Sequence, residues 1–239
     1  MPFPRSSKYD PNWIKQNALG ENVLYMTEGL TDVMILQPGM RVLDLGCGNA
    51  ISSIFLAKEF GVFVWAIDDK VPARENLRRI EEAGVADFVM PLQLAARNLP
   101  TSEEYFDAVI AVQSYLYYGA TDDYLSYILQ YIKPRGYIGI ADACFTREIL
   151  SMNDAPEFIQ RDYVTLWSKM HSLDWWIALW TKESRIEVVK GEPFPETDII
   201  FKEYIKDHRD DESERLVLQA LRADKEKLFS LFRLVGRKR

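Results

Sequence analysis

Apolar residues along this chain change period several times, and each change marks an element. Dense apolar runs at 41–45, 62–67, 87–92, 105–112 and 137–141 predict five short strands buried on both faces. Between them the spacing turns helical. Ile51, Ile54, Phe55 and Leu56 predict a helix over 50–60, ended by Gly61. Pro72 suits the first turn of a second helix that runs to Ala83 and stops at Gly84. Thr121 caps a third, predicted to reach Ile132 before Lys133-Pro134-Arg135-Gly136. Upstream, residues 1–20 predict an irregular arm with a helical turn near 13–16, and 21–33 a helix before the Pro38-Gly39 turn.

Strand and helix alternating at this spacing predict crossover units and a mostly parallel α/β sheet. The alternation breaks after Asp142. Residues 146–184 read as consecutive helices rich in Trp, namely Trp167, Trp175, Trp176 and Trp180. A strand at 185–190, helices at 197–208 and 212–223, and a strand at 228–235 complete the chain. The expected organisation is one domain over 1–239, with an N-terminal arm and helices at 1–34 and a helical cap at 146–184 inserted between the fifth and sixth strands.

Composition narrows the class. A chain of 239 residues that is 48% hydrophobic supports a large core. The net charge of −7 argues against a nucleic-acid surface, which needs a basic stripe. The charged run 207–215 reads as a solvated turn. Two cysteines, Cys47 and Cys144, make no disulfide framework and suggest a reducing compartment. With two histidines and no Cys/His cluster, no metal site is expected. No signal-like or membrane-spanning run is evident, so the expectation is a cytoplasmic protein without membrane partners.

The chemistry concentrates in RVLDLGCGNA, residues 41–50. A strand turns through Gly46-Cys47-Gly48 into a helix, and Asp68 closes the next strand. That sequence of parts builds a nucleotide pocket in α/β sheets. The dinucleotide fingerprint fails because its third small position falls on Ile51, which disfavours a nicotinamide oxidoreductase. The lysine and Ser/Thr of a phosphate loop are also absent. An Asp-x-Gly-x-Gly pattern with no phosphate-binding residue suits a ligand that carries no pyrophosphate. Asp44 and Asp68 also have a plainer reading, since Asp is a favoured N-cap.

DLGCG resembles motif I of class I S-adenosylmethionine-dependent methyltransferases, and the resemblance keeps the family's order: the acid ending the second strand, Leu99-Pro100, YFDAVIAV and KPRGY. It implies a Rossmann-like, mostly parallel seven-stranded sheet with helices on both faces, an antiparallel last strand, and S-adenosyl-L-methionine as cofactor, leaving as S-adenosyl-L-homocysteine. Asp44 and the Gly46 backbone would then hold the methionyl ammonium, and Asp68 the ribose hydroxyls. Cys47, Gly48, Asp69, Ala95, Ala96 and Gln113 complete the implied cofactor set. The chain departs from the pattern at Ala95, where relatives carry an aspartate on the adenine amino group; losing one hydrogen bond costs about 1 kcal/mol. A subgroup of small-molecule methyltransferases also resembles QSYLYYG and the His-Ser-x-x-Trp-Trp helix, although its usual acid and histidine are here Gln113 and Leu116.

Methyl transfer needs alignment in a dry site, and a base only if the nucleophile must lose a proton. Tyr115 and Tyr118, after the fourth strand, are expected at the substrate mouth. Trp175 and Trp176 are expected either as an aromatic wall around substrate or, more blandly, as packing. His171, with Tyr115, is the candidate catalytic group, although a lone helical histidine is more often structural. The function expected is methyl transfer to a small molecule, by an enzyme compatible with a homodimer. The competing reading is a non-catalytic binding module that keeps the fold.

Overall fold

The computed structural model describes residues 3–209 and 211–239, so Asp210 of the charged turn lies outside the described residues. Seven strands form one sheet: β1 Arg41–Leu45, β2 Phe63–Asp68, β3 Val89–Gln93, β4 Phe106–Val112, β5 Ile132–Phe145, β6 Ile186–Pro193 and β7 Phe229–Lys238. The order is β3-β2-β1-β4-β5-β7-β6. β1 to β5 pair in parallel, and β7 lies antiparallel between β5 and β6. The sheet order reverses beside β1 and β4, and the crevice opens at their carboxyl ends.

Two apolar layers cover the sheet. On one face α2 (Val23–Thr31) and α3 (Ile51–Phe60) bury Leu24, Met26, Leu30, Ile54 and Phe55 against Val42, Val64 and Ile110. On the other face α5 (Tyr124–Leu129) and α7 (Leu173–Thr181) bury Ile128, Trp176 and Trp180 against Leu43, Val109, Ile140 and Phe232. Alternate residues of one strand, Val42 and Leu43, thus serve opposite layers, the period-two rule at work.

Two expected elements change length. The helix expected over 121–132 is only α5, and the expected short strand at 137–141 grows into β5. Ile132 pairs with Phe106 before the register slips and resumes at Tyr137 opposite Ala108. The intervening 133–136 bulges out with Arg135 at φ +66°, and a Cβ on Gly136 would lie 2.7 Å from the Asp107 carbonyl. The sheet hydrogen bonds available to Ile132 outcompete another helical turn.

The segment 146–172 packs over the carboxyl end of the sheet as short turns, including a π-helical turn at Tyr163–Trp167. It is joined there by helices between β6 and β7: Ile149, Ile159 and Trp167 share a cluster with Ala220, Leu228 and Phe229. Those helices are α8 (Thr197–Asp207) and α9 (Arg215–Ala223). By contrast, α7 lies on the sheet face against β6, with Trp176 1% and Trp180 0% exposed.

A candidate cofactor and acceptor cavity

β1 ends at Leu45, and three of the next five residues take a backbone that most side chains avoid. Gly46, Gly48 and Ala50 stand at φ +73°, +52° and +59°. The turn is held from β2: the Gly46 and Cys47 N–H groups both donate to the Ile67 carbonyl at 2.9 Å. The Gly48 N–H donates to Asp68 Oδ2 at 2.9 Å. Glycine at 46 makes room for protein: a Cβ there would lie 2.5 Å from Ser114 Cβ. Ser114 Oγ donates to the Leu45 carbonyl at 2.6 Å, and the Tyr118 hydroxyl lies 3.0 Å from the same carbonyl. The loop after β4 is thereby clamped to the end of β1.

Asp68 sits at the cavity wall. Its Oδ1 accepts from the Lys70 and Val71 N–H groups at 2.8 and 2.9 Å, which fixes the carboxylate beside the glycine loop. A carboxylate offers about four acceptor sites, two on each oxygen, so Oδ2 keeps one toward a ligand. Asp44 stands elsewhere. It is 1% exposed, lies outside the cavity lining, and accepts from Ser52 Oγ at 2.6 Å and Ser53 Oγ at 2.5 Å. It therefore ties β1 to the first turn of α3, and burial pushes its carboxyl up to about 6. Asp44, expected to hold the methionyl ammonium, thus stands behind the loop and not in the cavity lining.

The cavity holds about 830 Å³, in the upper part of the ~300–1,000 Å³ typical of small-molecule sites. Gly46, Cys47, Gly48, Asp68 and Asp69 line one end with Ala95 and Ala96. Gln113, Ser114, Tyr117, Tyr118 and Asp142 form the middle, and Leu166, Trp167, Met170 and Val217 form the roof. The N-terminal arm closes the side. Asn49 Nδ2 donates to the Asn17 carbonyl at 2.9 Å, and Gln113 Nε2 donates to Glu21 Oε2 at 2.5 Å.

Four expected residues are elsewhere. Tyr115 is fully buried beneath the loop, ringed by Tyr118, Tyr124, Trp176 and Trp180 at 5.7–5.9 Å. It lines no part of the cavity, and neither do Trp175, Trp176 or His171. His171 Nδ1 is 2.8 Å from Glu148 Oε1, and its ring stacks on Trp175 at 3.6 Å. Glu148 also accepts from the Ser172 N–H at 2.8 Å, so the group pins the start of α7. Tyr115, Trp175 and Trp176 pack with the sheet-face layer, where apolar area is better buried than left at a polar mouth.

Besides Asp68 and Asp69, three carboxylates that the sequence pattern does not single out line the cavity. Asp142, in β5, is 1% exposed and accepts from the Leu116 and Ala143 N–H groups at 3.3 and 3.0 Å. Burial raises its carboxyl to about 7. Glu21 and Glu214 line the same space, and burial raises the Glu21 carboxyl as well. Asp142 carried a usable signal, an acid at the ligand end of an apolar strand, the same signal that marked Asp68. Glu21 and Glu214 lie far apart in sequence and carried none.

A family model described as a methyltransferase domain matches residues 42–136. The fold is that of class I methyltransferases, and residues 42–136 are the part of the chain that the family model matches. Outside the glycine loop, the domain match takes in Asp68, Ala95 and Ala96 and the loop that carries Gln113, Ser114 and Tyr118. Methyltransferase GfsG of Streptomyces halstedii is 28% identical over 141 residues, 59% of this chain and 48% of that protein. The chain spans half or less of the length of the curated relatives it matches. Among solved structures, a geranyl diphosphate methyltransferase in complex with SAM superimposes with a TM-score of 0.72 at 17% identity, over 89% of this chain and 84% of the other. A putative sarcosine dimethylglycine methyltransferase from Galdieria sulphuraria gives 0.72 at 18% identity, over 90% and 84%.

Proposed function

We propose that this chain binds S-adenosyl-L-methionine and transfers its methyl group to a small-molecule acceptor by in-line displacement. One observation carries the reading: the carboxylate of Asp68 bridges to the Gly48 N–H at 2.9 Å and faces an 830 Å³ cavity that ends on the glycine loop. The donor set fits the cofactor. Asp68 Oδ2 keeps one acceptor site for a ribose hydroxyl, and no lysine-bearing phosphate loop competes. When bound, the cofactor supplies an electrophilic methyl on a sulfonium.

The chain's own residues do the rest. Asp68 and the loop 46–48 fix one end of the cofactor, and Ala95 and Ala96 give the adenine a small apolar wall. Leu166, Trp167, Met170 and Val217 cover the far side and keep water away from the reacting atoms. Alignment in a dry cavity is the main contribution such a site makes to a displacement.

The acidic balance of −7 supports a small acceptor over a nucleic acid. Among the described residues no helix is long and apolar enough to cross a membrane. The free thiols Cys47 and Cys144, both buried, suit a reducing compartment.

Isothermal titration with S-adenosylhomocysteine tests the reading. Saturable binding is expected; absence of heat up to about 1 mM ligand, an affinity weaker than about −4 kcal/mol, sinks it. Ala95 favours a second reading, a binding module without turnover, because no side-chain acceptor stands there for the adenine amino group. Saturable binding with no methyl transfer to amine, thiol, hydroxyl or carboxylate acceptors would select it.

A further inference from the structure

The charges lining the cavity are unevenly placed. Its two described cations lie toward the cofactor end and are already paired: Lys70 Nζ with Asp69 at 3.1 Å and Arg97 with Asp123 at 2.9 Å. Away from that end the ionisable side chains are Glu21, Asp142 and Glu214, with the phenols of Tyr117, Tyr118 and Tyr204. They arrive from four separate parts of the fold: the arm, the loop after β4, β5, and the stretch from α8 to α9.

The hydrogen-bond inventory points the same way. Asp142 receives two backbone N–H groups, Glu21 one amide of Gln113, and Glu214 the Tyr204 hydroxyl at 2.6 Å. Each carboxylate has about four acceptor sites, so acceptors outnumber donors on this wall. Gln113 Oε1 is a further buried acceptor with no partner among the described residues. Trp167 and Tyr117 add ring surfaces to the same lining, and ring faces attract cations. An anionic acceptor would meet like charge, with Lys70 and Arg97, the cations among the described lining residues, already paired. A donor-rich cation meets complementary charge.

We propose that the acceptor is a cationic amine bound between Glu21 and Asp142, and that Asp142 takes the proton its ammonium must lose before attack. The proposal rests on the methyl-transfer reading above. The ammonium N–H bond breaks, its proton goes to a carboxylate oxygen of Asp142, and the nitrogen keeps the electron pair. That pair forms the new nitrogen–carbon bond as the methyl carbon–sulfur bond breaks, with the bonding electrons left on sulfur. The proton then passes to solvent. Burial supports the role, since it brings the Asp142 carboxyl to about 7, within reach of neutral pH. Glu21 and, through the loop, Tyr117 and Tyr118 are the ionisable groups that face Asp142; Cys144 neighbours it on β5.

The cofactor's own ammonium and sulfonium are also cations, so the test separates the two. Protein saturated with S-adenosylhomocysteine is titrated with amines from ethanolamine to phenethylamine, and with decanoate and geranyl diphosphate. The same compounds are assayed for methylation with S-adenosylmethionine. Amines are expected to bind and be methylated, and the two anions to do neither. Asp142→Asn is expected to abolish amine methylation, and Glu21→Gln to weaken amine binding by about tenfold, the loss of one charge-assisted contact. Both variants should hold S-adenosylhomocysteine within about threefold of the parent, well under one such contact. The proposal fails if the anions bind and amines do not, if Asp142→Asn methylates amines at the parent rate, or if both variants lose S-adenosylhomocysteine and amines alike. A parent that binds no S-adenosylhomocysteine overturns the methyl-transfer reading instead.

Discussion

Asp68 Oδ2 accepts the Gly48 N–H at 2.9 Å, so one carboxylate joins the end of β2 to the glycine turn after β1. Twenty residues separate the pair in sequence, and one strand–helix–strand unit brings them together.

Replacing that carboxylate removes both a structural tie and a ligand contact. Asp68→Ala should weaken S-adenosylhomocysteine affinity by about 2 kcal/mol or more, roughly thirtyfold, since hydrogen bonds to charged groups are worth ~1.5–3 kcal/mol. Titration calorimetry checks it. Parent-like affinity in the variant would place the ribose elsewhere.

Tyr115 has a fully buried hydroxyl with no partner among the described residues. Tyr115→Phe removes a desolvated polar group and keeps the ring contacts to Trp176 and Trp180. Stability should be unchanged or higher by up to about 1 kcal/mol, with turnover unchanged. Chemical denaturation and a methyl-transfer assay test this, and a collapse in turnover would return Tyr115 to the site.

His171 packs away from the cavity, so His171→Ala should act on stability. Loss of the Glu148 contact and the Trp175 stack should cost about 1 kcal/mol, lowering the melting temperature by ~2–4 °C for a chain of this size. The rate constant for turnover should stay within about twofold, less than the 10²–10⁴ that general acid–base catalysis contributes.

Asp142 and Asp44 are buried carboxyls raised to about 7 and about 6. A raised carboxyl contributes stability that is fully present below its unfolded value, about 4, and is lost as pH rises through the folded value. The protein should therefore lose stability between about pH 4 and pH 7 through these two groups. Asp142→Asn should relieve its share, raising stability more at pH 8 than at pH 5, by about 2 kcal/mol between the two. Denaturant titrations at both pH values measure the difference. An equal effect at both would mean that Asp142 is not strained by its charge.

Much of this protein was legible in its residues. The strand at 41–45 was placed to the residue, and the helix at 51–60 to within one, because Gly61 supplies a stop and a buried strand carries a dense apolar run. The glycine loop and Asp68 were legible because a tight turn and an acid at a strand end are local features. The carboxylate wall was not: Glu21, Asp142 and Glu214 meet only when the arm, β5 and the stretch between α8 and α9 fold over one crevice. His171, Tyr115, Trp175 and Trp176 look equivalent to site residues in one dimension, since a sequence lists an aromatic without the face it covers. The sequence by itself determined the sheet, its nucleotide-type loop and the acid at Asp68, all set by period and backbone conformation. Only the tertiary structure decided that Asp44 turns inward to Ser52 and Ser53, that Trp176 and Trp180 of α7 belong to the sheet core, and that the cavity is acidic away from the glycine loop. Burial and side-chain direction settle those points, and both depend on what packs from elsewhere in the chain.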